Sequence, residues 1–225
     1  MPASDTTVQI SRAAADRDGS WRLALLVVTL AFAAMLLSTY GSTLAARSPL
    51  TLAEIEELKQ AAGLTHDDET ALREAAPILA AQADDMVSAW RAKIAQQPHL
   101  ARYSAHPDGT PNPEYSAASK PRFDRWIIDA CIRPFDQAWL DYQHEIGLRH
   151  TRVKKNRTDH ADSADHIPLR YLLAFTAVVL TTSREYLARQ VKDAQTLDRL
   201  HAAFTKSVVL HVAVWSRAYA DGQTW

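Results

Sequence analysis

Cysteine is all but missing: of 225 residues only Cys131 carries a thiol. A single thiol rules out an intrachain disulfide, an iron–sulfur cluster and a Cys-rich zinc site. No His-Glu-x-x-His pattern occurs either, so the usual helical zinc signature is lacking. Glycine is scarce, at six residues, and no stretch alternates apolar and polar residues long enough for a half-buried strand. Neither sign of charge prevails. Lys and Arg total 25 against 26 Asp and Glu, which excludes a bulk electrostatic partner such as DNA or an acidic polymer. Internal repeats and low-complexity segments are lacking too. What is present is 47% hydrophobic residues, rich in Ala and Leu, enough for one well-buried helical core.

Residues 23–46 hold no charge, and Leu23 to Leu37 is almost wholly apolar. A membrane-spanning helix needs a run of roughly 20 such residues. A transmembrane anchor is therefore expected at 23–46, after an N-terminal tail at 1–22; a cleaved signal sequence is the alternative. Arg12, Arg17 and Arg22 precede the span and only Arg47 follows closely. That asymmetry leans towards a cytoplasmic N-terminus and an external, periplasmic-type main domain.

From residue 47 onward the chain reads as helix after helix. Thr51 caps a helix to Ala62, stopped by Gly63, and Thr65 with Asp67, Asp68 and Glu69 opens the next. The latter is expected to run through Met86, Trp90 and Ile94 to a break at Pro98. The stretch His106 to Pro113 is a loop of turn formers, and a helix follows from about Glu114 to Ala130. Pro134 suits the first turn of another helix reaching about Lys154. A polar loop over 158–166 leads past Pro168 to two long final helices. An all-α globule of about seven helices is the expectation.

Of nine histidines, His150 stands apart. Trp139, Tyr142, Gln143, Ile146 and Gly147 precede it on one helical face, with Gly147 leaving room a turn earlier. An imidazole at the end of an apolar stripe suits a flat apolar cofactor, but the pattern alone favours a structural or exposed histidine, and periodicity does not establish haem. His160 and His166 read as solvated loop residues. The basic run Arg149, Arg152, Lys154, Lys155 and Arg157 reads as a solvated helix end complementing the helix dipole. It lacks the aromatic interleaving that nucleic acid would require, so no nucleic-acid partner is expected. Cys131, Trp126, Trp139 and Trp215 read as core packing.

The string Asp136-Gln-Ala-Trp-Leu-Asp-Tyr-Gln-His-Glu-Ile-Gly-Leu-Arg-His150 resembles the proximal helix of the protoglobins. The likeness continues in Lys154-Lys155-Asn156, Ile167 to Phe175, and Val212 to Ser216. Upstream it includes Pro107 to Asn112 and Arg122-Phe123-Asp124-Arg125-Trp126, and it runs from about Arg47 to the C-terminus. The resemblance implies a globin-like helical fold with an extra N-terminal helix, over a haem domain at 47–225. It implies haem b without thioether bonds, in keeping with the lack of Cys-x-x-Cys-His. The metal ligand falls on His150, and the cofactor contacts on Trp90, Arg91, Phe123, Ile127, Ile146, Ile167 and Phe175. Implied partners are the diatomic gases O2, CO and NO, and a second copy of the chain, joined through the last two helices.

Two departures stand out. Where the family usually has a tyrosine after its distal tryptophan, this chain has Arg91. Arg91 either points inward, to a bound gas or a haem propionate, or faces water at the pocket edge. Pro121, two residues before Phe123, interrupts a helix unless that helix begins later. The expected function is reversible gas binding for sensing, scavenging or transport, without catalytic residues. Trp225 follows the last helix closely, so sensing is expected to act through a separate partner. A haem enzyme (nitric-oxide dioxygenase or peroxidase-like) and a haem-free interaction module are the alternatives.

Overall fold

The first two helix starts are written into the chain as side-chain caps, and the computed structural model, which describes residues 45–220 and Trp225, places both where the sequence does. Helix α1 (Leu52–Ala62) opens on Thr51, whose hydroxyl accepts from the Glu54 N–H while the Glu54 carboxylate accepts from the Thr51 N–H at 2.7 Å. Gly63, at φ +62°, closes it in the left-handed conformation that costs glycine least. Helix α2 (His66–Ala80) opens on the same reciprocal pair, Thr65 with Asp68.

The single helix expected from Thr65 to Pro98 is two. After Ala81 the chain restarts as α3 (Ala83–Ala95). No glycine or adjacent proline marks this break. Gln82 secures it by donating to the Ile78 and Tyr186 carbonyls at 3.0 and 3.1 Å, the second from a distant helix. A short α4 (Pro98–Ala101) follows. Helix α5 (Pro113–Ile132) is capped by Asn112 and runs straight through Pro121. The proline deprives that turn of a backbone donor, and side chains serve the carbonyls around it. Ser119 Oγ donates to Tyr115 O at 2.8 Å, and Arg122 to Ala118 O at 3.1 Å.

Helix α6 (Gln137–Leu148) is shorter at both ends than the sequence suggested. It starts after Pro134 because Asp136 caps it, accepting the Trp139 N–H at 2.8 Å. It stops six residues before Lys154, where Thr151 Oγ1 donates to the Leu148 carbonyl and the Ile167 N–H to the His150 carbonyl, both at 2.9 Å. Successive turns then lead to α7 (Leu169–Gln190) and α8 (Ala194–Ser216), ended by a 3-10 turn at Arg217–Tyr219. The described residues thus form eight α-helices, with no strand among them.

Helix α8 is the hub, packing on α1, α2, α5, α6 and α7. Its stripe of Leu200, Phe204, Val208, Val212 and Trp215 is buried, as its helical spacing requires. Residues 46–225 make one compact unit around this helix. The span expected at 23–46 lies, except for its last two residues, outside the described residues. Among the described residues no helix is long and apolar enough to cross a membrane.

Candidate functional site

The last turn of α6 is pinned against α8. A Cβ built on Gly147 would stand 2.9 Å from the Trp215 carbonyl oxygen and 3.1 Å from its Cα. The room left by this glycine is therefore filled by a helix backbone and does not belong to a cofactor slot, as the sequence had suggested. One turn earlier, buried Gln143 accepts from the Trp215 indole N–H at 2.8 Å. Most of the stripe leading to His150 is spent on this packing.

His150 lies just past the helix, and its ring is held from several sides. Its Nδ1 donates to the Ile146 carbonyl at 2.8 Å, and its ring stacks on Trp215 with centroids 5.8 Å apart and planes 22° from parallel. Its carbonyl accepts from Ile167, whose own carbonyl accepts from the Tyr219 hydroxyl at 2.7 Å. Crowding by protein pushes its pKa down to about 4, so the imidazole is neutral at pH 7. With the proton on Nδ1, Nε2 presents a lone pair and has no partner among the described residues.

Trp90 and Ile127, at 2% and 0% exposed, lie inside the core. Phe123 is 40% exposed, while Ile146, Ile167, Phe175 and His150 keep part of their surface. Rings connect the two sides: His150 stacks on Trp215, Trp215 lies 5.5 Å from Trp126, and Trp126 lies 6.3 Å from Trp90. The Trp90 indole nitrogen is buried without a partner. An unpaired buried donor is costly unless something else supplies the acceptor. A neutral imidazole of fixed tautomer, partly uncovered apolar side chains and an orphaned indole N–H together fit a haem.

The family model described as Protoglobin matches residues 51–225, the whole helical unit from the first cap onward. The chain belongs to the protoglobin family. Membership supports a globin-like fold, a haem cofactor and the binding of a gas ligand. No curated protein gives a match to the sequence.

Arg91, where protoglobins usually carry tyrosine, takes neither course drawn from the sequence. It is half-buried, donating to the Ser116 carbonyl at 2.8 Å and the Ser119 hydroxyl at 2.5 Å, with its guanidinium 5.5 Å from the Phe123 ring centroid. It clamps α3 to the first half of α5, beside the turn that Pro121 opens.

Two polar residues of this protoglobin escaped the sequence reading. Buried His211 accepts the Trp126 indole N–H at 2.9 Å on Nδ1, which forces its proton onto Nε2, a buried atom without a partner. A histidine set among Val208, Leu210 and Val212 was the available signal. Lys155, read as part of a solvated helix end, is only 4% exposed. Nothing local signalled that, because it follows from α6 ending early. Cys131 is buried, and burial raises its thiol pKa, so it is inert as a nucleophile.

Proposed function

We propose that this chain is a haem-b protein that reversibly binds O2, CO or NO at an iron carried by His150, for sensing, scavenging or transport. The observation that carries the reading is the imidazole itself: Nδ1 is committed to the Ile146 carbonyl at 2.8 Å, and Nε2 is left without a partner among the described residues. Bound haem supplies an iron with one position open to a gas. Phe123, Ile146, Ile167 and Phe175 would hold the porphyrin by apolar contact, with Trp90 and Ile127 behind them. An enzyme that cleaves an O–O bond would want a charged or acid–base group at the ligand. Arg91, the charged distal candidate, is engaged on Ser116 and Ser119, which favours gas binding over turnover.

The proposal includes a membrane anchor at residues 23–46, with the haem domain outside. It also includes a homodimer through α7 and α8, on which Leu173 and Val209 stand 54% and 45% exposed. Absorption spectra of purified protein in ferric, ferrous and CO-bound forms test the central claim. The wild type is expected to show a Soret band that moves with CO, and His150→Ala to lose the haem or hold it weakly. Identical spectra in the variant would remove His150 as the ligand.

A further inference from the structure

Lys155 poses a physical problem that gas binding alone does not solve. Its ammonium is almost fully buried, yet its partners are neutral oxygens: Asn156 Oδ1 at 3.0 Å and the Tyr115 hydroxyl at 3.3 Å. It also sits 4.9 Å from the centroid of the Tyr115 ring. An ammonium has three donors, and burying one without an opposite charge is expensive. The nearby carboxylates are engaged elsewhere. Asp159 takes both ends of the Arg122 guanidinium, at 2.8 and 2.6 Å, and Asp165 pairs with Arg152 at 3.2 Å. Arg91 reaches the same turn of α5 and likewise bonds only neutral oxygens there. The Tyr115 turn is thus bracketed by two cations that no carboxylate touches among the described residues.

This cation lies on the iron-ligand side of the molecule. Lys155 stands five residues beyond His150, on a turn closed by its own N–H donating to the Thr151 carbonyl at 2.9 Å. Asn156, at φ +71°, ends that turn and ties it to the Ser163 carbonyl. The positive charge of Lys155 is felt at His150, where it helps to hold the imidazole neutral.

We propose that Lys155, steadied by Tyr115 and Asn156, is the seat of a carboxylate of the bound porphyrin. The inference rests on the reading of His150 as the haem ligand. A propionate would take the third ammonium donor and bring an opposite charge into direct contact, orienting the porphyrin edge towards α5. Burial, only partly offset by the more distant charges of Asp159 and Asp165, draws the Lys155 pKa down to about 8, which a carboxylate in direct contact would reverse.

The test compares haem b with its dimethyl ester, in which both carboxylates are uncharged. Each is loaded into the full chain, and its transfer to an excess of haem-free acceptor globin is followed. Wild type is expected to release haem b about tenfold to a hundredfold more slowly than the ester, as for a charge-assisted hydrogen bond. Lys155→Met should abolish that difference and shift the propionate bending band in the resonance Raman spectrum. Lys155→Arg should keep most of it. Equal release of the two porphyrins from wild type, or an undiminished difference in Lys155→Met, would overturn the proposal. If Lys155→Met does not fold, the wild-type ratio and the Lys155→Arg variant decide. Failure to take up either porphyrin would instead count against His150 as the ligand, and it would be seen before any Lys155 variant is made.

Discussion

Gly147→Ala is a small change that reaches His150, the proposed iron ligand, through the fold. The added methyl would stand 2.9 Å from the Trp215 carbonyl oxygen, 3.1 Å from the Trp215 Cα and 3.2 Å from the Ala218 Cβ. Two of those atoms are backbone of α8 and its neighbours, so no rotamer change relieves the contact. Either α6 or the end of α8 must move by a few tenths of an ångström. Overpacking of this kind costs about 1–3 kcal/mol, while alanine in a helix interior recovers about 1 kcal/mol over glycine. The net expectation is a loss of up to roughly 2 kcal/mol, or up to about 8 °C in Tm for a domain of this size. The same movement loosens the Trp215–Gln143 bond and the Trp215–His150 stack, so haem should leave faster as well. Thermal unfolding and haem transfer, measured on the same preparations, check both effects. A Tm above wild type with unchanged haem transfer would show that α6 and α8 do not pack as closely as described.

Two further perturbations bear on charge. His211 accepts the Trp126 N–H, and burial drives its pKa from 6.5 down to about 3. Between those values the unfolded histidine binds a proton that the native one refuses, so stability is complete above about pH 6.5 and falls as the pH drops towards 3. His150 acts in the same direction down to about 4. His144 is shifted the same way by burial, so His211→Gln, which keeps an acceptor for Trp126, should lower the slope of stability against pH between about pH 5 and 6.5 by roughly a third to a half. An unchanged slope in urea unfolding would refute it. Arg91→Leu removes the α3–α5 clamp and the cation over Phe123, so CO association should change several-fold while the CO stretching frequency stays put. A marked rise in that frequency would mean the guanidinium faces the gas.

The sequence spoke clearly wherever a local rule decides the outcome. Thr51 with Glu54, and Thr65 with Asp68, are capping pairs that act within one turn, so the starts of α1 and α2 were readable. The stripe on α8 was readable because a three-to-four-residue apolar spacing has one stable solution in an all-helical core. The break at Ala81 and Gln82 was not, since it depends on a carbonyl from residue 186, over a hundred positions away. Nor was the end of α6, fixed by the Ile167 N–H reaching the His150 carbonyl. That single long-range bond carries the chief surprise of the site. By ending the helix before Lys155, it turns a lysine that would have been solvated into a buried cation. The ligand candidate itself came from resemblance, because spacing alone favoured a structural or exposed His150.

The two sides of the site differ in how firmly they are held, and that difference has a functional consequence. On the proximal side, His150 is fixed through its ring nitrogen, its carbonyl and its stack on Trp215, and Trp215 is in turn locked to α6 through Gln143 and Gly147. An imidazole so oriented before any cofactor arrives would lose little freedom on binding iron, because the turn that carries it is tied to the end of α6, to Ile167 and to Trp215 of α8. On the distal side, Phe123 keeps much of its surface and is steadied through Arg91, whose own bonds go to a helix opened by Pro121. Strain or motion entering this protein should therefore alter how a gas reaches and leaves the iron before it alters how the iron is held. With haem on His150 as proposed, substitutions at Arg91, Phe123 and Pro121 should change gas kinetics first, and substitutions at Gly147, Trp215 and His150 should change retention of the cofactor.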